Sequence, residues 1–418
     1  MIESAALPTR AEALVVGAGL AGLACARQLV LAGVDVHVVD SSDAVGGRVR
    51  TDEVDGFLLD RGFQVMLTAY EEVQSQVDLA RLDVRAFRPG SKVWNGQALQ
   101  TMGDPFRDPG SAVASARARV GTFGDKLRVA ALRRDLLAGT AEACFAGAER
   151  STQEELEALG FSASFIDTFF RPFLGGVFLE RPLETSSSLF RYYFRCFAAG
   201  DAVVPARGMQ RLPELLALPV AGHLTLSARV AEVHPNGVVL DDGTKVEADH
   251  VVVAVDGAAA AHLLGGPTPA FKAAVTSYYA APQAPVHEPL LVLDGEGTGP
   301  VNHVAVMSQV APDYAPPGMH LVAASGVDAA TEDLDSFAAR APVQLRRWFG
   351  ASVDRWEHLR TYRIPHALPR HPAGSLAARA GERRSDGLVV AGDYCEFGAI
   401  QGALLSGRRA ADAVLSVR

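Results

Sequence analysis

VVGAGLAGLACARQL, residues 15–29, sets three glycines between an apolar run and a helix-forming run. Gly17, Gly19 and Gly22 follow the pattern G-x-G-x-x-G. Alone that pattern is weak; its surroundings give it meaning. Ala13 to Val16 read as a short buried strand. Leu20 to Ala32 are strong helix formers closed by Gly33, and Val34 to Val39 read as a second strand ending at Asp40. Gly17 permits the tight turn, Gly19 lets backbone approach a pyrophosphate, and Gly22 allows close helix–strand packing. The helix N-terminus offers free N–H groups to phosphate. Asp40, 18 residues after Gly22, is placed to accept from ribose hydroxyls. The competing assignments are a turn that binds nothing and a signal-peptide core. Against the second, Glu3 and Glu12 stand where basic residues belong.

The 418 residues suggest two or three domains, and half of them are apolar, ample for a large core. The net charge of −9, with no basic cluster, argues against a nucleic-acid partner. Four lysines against 35 arginines suit a GC-rich bacterial genome. Cys25, Cys144, Cys196 and Cys395 are scattered without a CxxC, so neither a disulfide framework nor a zinc or other metal site is expected, and a reducing cytoplasm is. No apolar run reaches the roughly 18 uncharged residues of a membrane span.

Next comes SSDAVGGRVRT (41–51), where Gly46 and Gly47 precede Arg48 and Arg50. A phosphate-length ligand can meet the Gly47 backbone and the Arg48 side chain. A dinucleotide loop followed by GGR-x-x-T resembles the FAD-dependent flavin amine oxidase superfamily, which also holds protoporphyrinogen oxidases and phytoene desaturase-like enzymes. FLLDRGFQVM (57–66) is similar to the family's Asp-x-Gly stretch, and PARGMQRLPELLA (205–217) to its P-x-x-G-M-x-x-L segment. A β-meander follows, with Pro235-Asn236-Gly237 and Asp242-Gly243 as turns, then the strand ADHVVVAVD (248–256). GLVVAGDYCEFGAIQGALLSGRRAADAVL (387–415) is similar to the family's closing motif of strand, Gly-Asp, loop and helix. The resemblance implies FAD contacts from Gly17, Gly19, Gly22, Asp40, Gly47 and Arg48. It adds the Val230 backbone at adenine, Gly392 and Asp393 at the ribityl or phosphate region, and the Ile400 N–H at a flavin carbonyl. A helix N-terminus there stabilises the negative charge of reduced flavin.

The expected fold class is α/β: a Rossmann-like FAD-binding domain with an interleaved α+β substrate-binding domain. The FAD-binding pieces are 1–85, 203–266 and 375–418; the substrate-side pieces are 86–202 and 267–374. Within the latter, 112–160 is expected to be helical and 286–325 to be sheet. Residues 333–350 should form a helix broken at Pro342, and 361–370 an extended segment.

Residues 161–197 hold nine Phe and two Tyr. They read as the core of a helical subdomain, as the lining of an apolar tunnel, or in part as a surface for peripheral membrane contact; no basic amphipathic helix favours the last strongly. His366 is a candidate proton acceptor by type, Arg363 a partner for an anionic substrate and Gln64 a hydrogen-bonding group. Amine-oxidising members of the family often carry an aromatic residue ahead of the last helix, where this chain has Ala399. Many carry a sheet lysine near flavin N5, but no lysine follows Lys272. No cysteine lies between Cys196 and Cys395, so non-covalent FAD is expected. These departures point away from simple amine oxidation and towards hydride removal from a C–H bond of a hydrophobic small molecule. Oxidation of a bulky amine, redox-neutral isomerisation and a non-catalytic flavoprotein are the alternatives.

Overall fold

The computed structural model describes residues 4–376 and 384–417; residues 377–383 of the expected 375–418 piece lie outside it. Strand β1 (Arg10–Val16) enters helix α1 (Leu20–Leu31), which returns through β2 (Val36–Val39). Both strands are parallel, with Ala13 opposite Val36 and Val16 opposite Val39. Helix α1 is apolar nearly all round because it is covered on both sides. It lies between the sheet and the C-terminal helix Ile400–Leu415. An added Cβ at Gly407 would lie 2.2 Å from Ala21 O, so that helix–helix approach needs glycine.

The first sheet gathers strands from distant parts of the chain. β1 pairs in parallel with Lys245–Val253, which pairs in parallel with Val389–Val390. The meander Val230–His234, Gly237–Leu240 and Lys245–Val253 is antiparallel. The second sheet is mainly antiparallel, in the order Glu357–Pro369, Phe271–Ala281, His320–Gly326, His303–Val306, Leu291–Asp294, Gly90–Trp94 and Leu99–Gly103. Parallel and antiparallel sheets in one interleaved chain make this the expected mixed α/β architecture.

Two expectations are corrected. Helix Leu334–Phe349 runs through Pro342 without a break. A proline inside a helix costs about 3 kcal/mol. Phe337, Ala341, Leu345 and Trp348 are buried against the second sheet, each larger side chain contributing about 1.5–3 kcal/mol, and offset that loss. Segment 286–325 is not all sheet: Met307–Val310 is a helical turn, followed by a 3₁₀ turn at Pro312–Tyr314. All but the last residue of the 361–370 stretch lies inside the edge strand Glu357–Pro369. Its register against Phe271–Ala281 jumps between Ile364 and Leu368, so Pro365 falls in a bulge where no ladder donor is required.

Most of the 161–197 aromatics are core. Phe161, Phe165, Phe170, Phe178, Phe190, Tyr192 and Tyr193 are buried, while Phe169, Phe173, Phe194 and Phe197 are half-buried.

Candidate cofactor and active site

The glycine loop is shaped by contacts that side chains forbid. Gly17 has φ +111°, and a Cβ there would lie 2.6 Å from Ala254 O. A Cβ at Gly22 would lie 1.9 Å from Gly17 O. Gly19 differs: its φ is −72°, and a Cβ would meet no atom within 4 Å. It therefore borders open space, a cradle that a side chain would fill. Gly19 is also the N-cap of α1, which has neither a side-chain cap nor an acidic residue in its first turn. Its first N–H groups need an outside acceptor.

The second loop closes on the first. Gly19 bridges Gly46 in parallel, and Gly46 N donates to Ala18 O at 2.8 Å. Asp40 accepts from Ala18 N at 2.6 Å through one oxygen and from Ser42 N at 2.7 Å through the other. Its carboxylate thus ties the two loops together as well as standing at the strand end. Asp40 O and Ser42 O accept from Ala228 N and Ser227 N, which brings the half-buried Val230 beside the same loops.

The third contribution comes from the C-terminus. Arg48 Nη2 donates to buried Asp393 at 2.6 Å, and its Nη1 donates to Ala367 O at 2.9 Å and His366 O at 3.2 Å. Gly392 N donates to Ser406 Oγ at 3.0 Å. The C-terminal helix begins at Ile400 behind Ala399, again without a side-chain cap or a first-turn acid. Two uncapped helix N-termini, an open glycine cradle and a clamping arginine fit a dinucleotide with an electron-accepting ring. FAD fits these residues.

The candidates for the reacting side are not brought together. Gln64 Nε2 donates to Arg48 O at 2.8 Å, while its Oε1 is buried without a protein partner. His366 is half-exposed, 3.6 Å from Asp256 and packed on Phe271, so its ring lies away from the aromatic helices. Arg363 is exposed and donates to Glu332 O at 3.4 Å. Sequence reasoning missed a line of contacts running inwards from Gln64. Its neighbour Phe63 packs edge-on against His303, with centroids 5.0 Å apart. His303 lies under Gly176 of helix Arg171–Phe178, where a Cβ would approach its Nδ1 to 3.1 Å. Asn302 Nδ2 lies 3.2 Å from that Nδ1. Burial depresses the imidazole to about 4, so it is neutral. Nothing in the local sequence separates this histidine from the others; only the pairing of distant strands does.

Also missed were Gln210, whose Nε2 donates to Val45 O at 2.8 Å ahead of the GGR glycines, and Asp60. Asp60 accepts from Thr51 Oγ1 at 2.6 Å, Met209 N at 2.9 Å and the Tyr314 hydroxyl at 2.8 Å. Both lie in quoted motifs, Asp60 as the acid that ends the apolar run FLL and Gln210 directly after Met209.

The model of the family described as "Flavin containing amine oxidoreductase" matches residues 20–415, and the chain belongs to that family. The family is one of flavin-containing oxidoreductases. A putrescine oxidase of Kocuria rosea is 40% identical over 84 residues, 20% of this chain and 18% of the relative. The chloroplastic/mitochondrial protoporphyrinogen oxidase 2 of Arabidopsis thaliana is 29% identical over 173 residues, 40% of this chain and 32% of the relative. The matched sequence therefore spans less than a third of either relative. A solved putrescine oxidase bound to putrescine superposes with a TM-score of 0.72 over 97% of this chain and 99% of the other, at 19% identity, a likeness of fold.

Proposed function

We propose that this oxidoreductase holds FAD non-covalently and removes a hydride from a C–H bond of a hydrophobic small molecule. The observation that carries the reading is the aromatic, uncharged line from the cofactor loops inwards: Phe63 on His303, then Gly176, on the same helix as the half-buried Phe173. Phe173 in turn packs against Phe169 and Phe197 with centroids 5.8 and 5.2 Å apart. Such a lining binds by excluding water and offers few fixed charges. The lysines support it. Lys272 is buried with Glu180 at 2.7 Å, Lys92 pairs with Glu288, Lys126 donates to Ala116 and Ala118 carbonyls, and Lys245 is exposed. Ala399 supplies no aromatic wall.

When bound, FAD supplies the two-electron acceptor. The chain orients it through the glycine loop and the Arg48–Asp393 pair. The Ile400 helix N-terminus stabilises negative charge at its mouth. The phenylalanines hold the substrate and exclude water. Oxidation of a bulky amine is the second reading, favoured by the stretch shared with putrescine oxidase. Anaerobic mixing of the yellow holoprotein with polycyclic or polyene substrates and with bulky secondary amines decides between them. Bleaching of the flavin bands by the hydrocarbon-rich class alone is expected; bleaching by amines alone overturns the proposal, and turnover without bleaching marks an isomerase.

A further inference from the structure

We propose that the outer face of helix Phe123–Ala138, with Phe106 beside it, docks this enzyme on an anionic lipid surface. The helix is apolar on two sides. Inwards, Leu132 is buried, and Val129 and Leu136 pack on the core. Outwards, Phe123 is 71% exposed and Leu127 57%, one turn apart. Phe106, 61% exposed, forms the opposite wall of a shallow groove completed by Leu127, Ala131 and Leu137. A solvated helix face is ordinarily polar, so bulky apolar groups at this exposure have no folding role.

Charge identifies the occupant. Residues 104–138 carry seven basic and four acidic side chains in a chain whose net charge is −9. All four acids are engaged, Asp135 with Arg134 at 2.8 Å. Asp125 is buried in the helix capping box, Asp108 pairs with Arg88 at 2.6 Å, and Asp104 lies 3.5 Å from Arg133. Arg117, Arg119, Lys126 and Arg128 flank the apolar stripe in sequence, Arg133 and Arg134 line the groove, and Arg133 lies 4.9 Å over the Phe106 ring. A cationic rim around protruding aromatic and aliphatic groups suits a surface that is negative outside and hydrocarbon beneath. The acidic remainder of the molecule is repelled by the same surface, which orients the contact. No helix among the described residues is long and apolar enough to cross a membrane, so the contact is peripheral.

The test is co-sedimentation of the FAD-loaded full chain with vesicles of phosphatidylcholine alone or mixed with phosphatidylglycerol. Binding to the anionic vesicles only, weakened by high salt, is expected. Phe123→Ser/Leu127→Ser should reduce binding at least about tenfold. Val343→Ser, at a residue 70% exposed on another helix, should leave it unchanged. Flavin absorbance and thermal midpoint, measured alongside, should match wild type for all variants. Equal binding by the double variant, or no binding by wild type, overturns the proposal. So does a shift of the double variant from dimer to monomer in light scattering with lipid binding absent throughout, which makes the face a self-interface. None of these outcomes depends on the substrate.

Discussion

The Tyr314 hydroxyl donates to Asp60 Oδ2 at 2.8 Å across 254 positions of sequence, tying the second-sheet segment to the strand that follows the GGR loop. Tyr278 adds a second tie, its hydroxyl donating to Asp60 O at 2.8 Å. Burial raises the Asp60 carboxyl to about 6 despite three donors that favour its charged form.

That value predicts a pH signature. Between 3.8, the ordinary value, and about 6, the folded protein holds a proton that the unfolded chain has lost. Stability from this group is therefore fully present below 3.8 and falls as pH rises through 6, by about 3 kcal/mol in all. Asp60→Asn removes the titration and keeps the shape. The difference in thermal midpoint between wild type and this variant should change across pH 4 to 7, with the variant gaining relative stability as pH rises. A constant difference contradicts the assignment.

The glycine loop allows binding and folding to be separated. Gly19→Ala places a methyl in open space at an ordinary φ, so the apoprotein should keep its thermal midpoint while FAD retention on dialysis falls at least about tenfold. Gly22→Ala should lose both, because its Cβ collides with Gly17 O. Asp40→Ala should also lower both, since its oxygens hold the Ala18 and Ser42 amides. Unchanged FAD retention in Gly19→Ala would place the diphosphate elsewhere.

Arg48→Ala leaves buried Asp393 without its charged partner and frees the carbonyls of His366 and Ala367. Arg48 is about a third exposed, so solvent screens part of the loss; about 1–3 kcal/mol is expected, with faster loss of yellow colour on dialysis. Arg48→Lys should recover only part, because a lysine cannot span three acceptors.

Lys272→Met tests whether the buried lysine belongs to the chemistry. It leaves Glu180 buried and uncompensated, so stability should fall by about 3–5 kcal/mol. The rate of flavin reduction by substrate at low temperature should be unchanged. A selective loss of that rate would make Lys272 a reacting group.

The backbone geometry of the glycine loop was legible because its signals are mostly local. Gly22 answers to a contact within its own loop and Gly46 in part to Val49, while Gly17 also needs the distant Ala254 strand end; the strand–turn–helix periodicity around them is strong. Asp393 and Ile400 lie in one motif of the same kind. The line of contacts inwards from Gln64 was not legible. His303 of the second sheet, Phe63 of a loop and Gly176 of a helix meet only through long-range packing, which pattern reading does not provide. Pro342 misled because propensity is local, whereas the packing of Phe337 and Trp348 that overrides it is not. The 161–197 aromatics were open between core and lining because burial, not composition, separates Phe170 from Phe173.

Val389–Val390, the last strand among the described residues, pairs with Val252–Val253, while Asp393 completes a contact begun by Arg48. The clasp thus rests on a contact between residues 345 positions apart, and any N-terminal fragment that stops short of Asp393 lacks it.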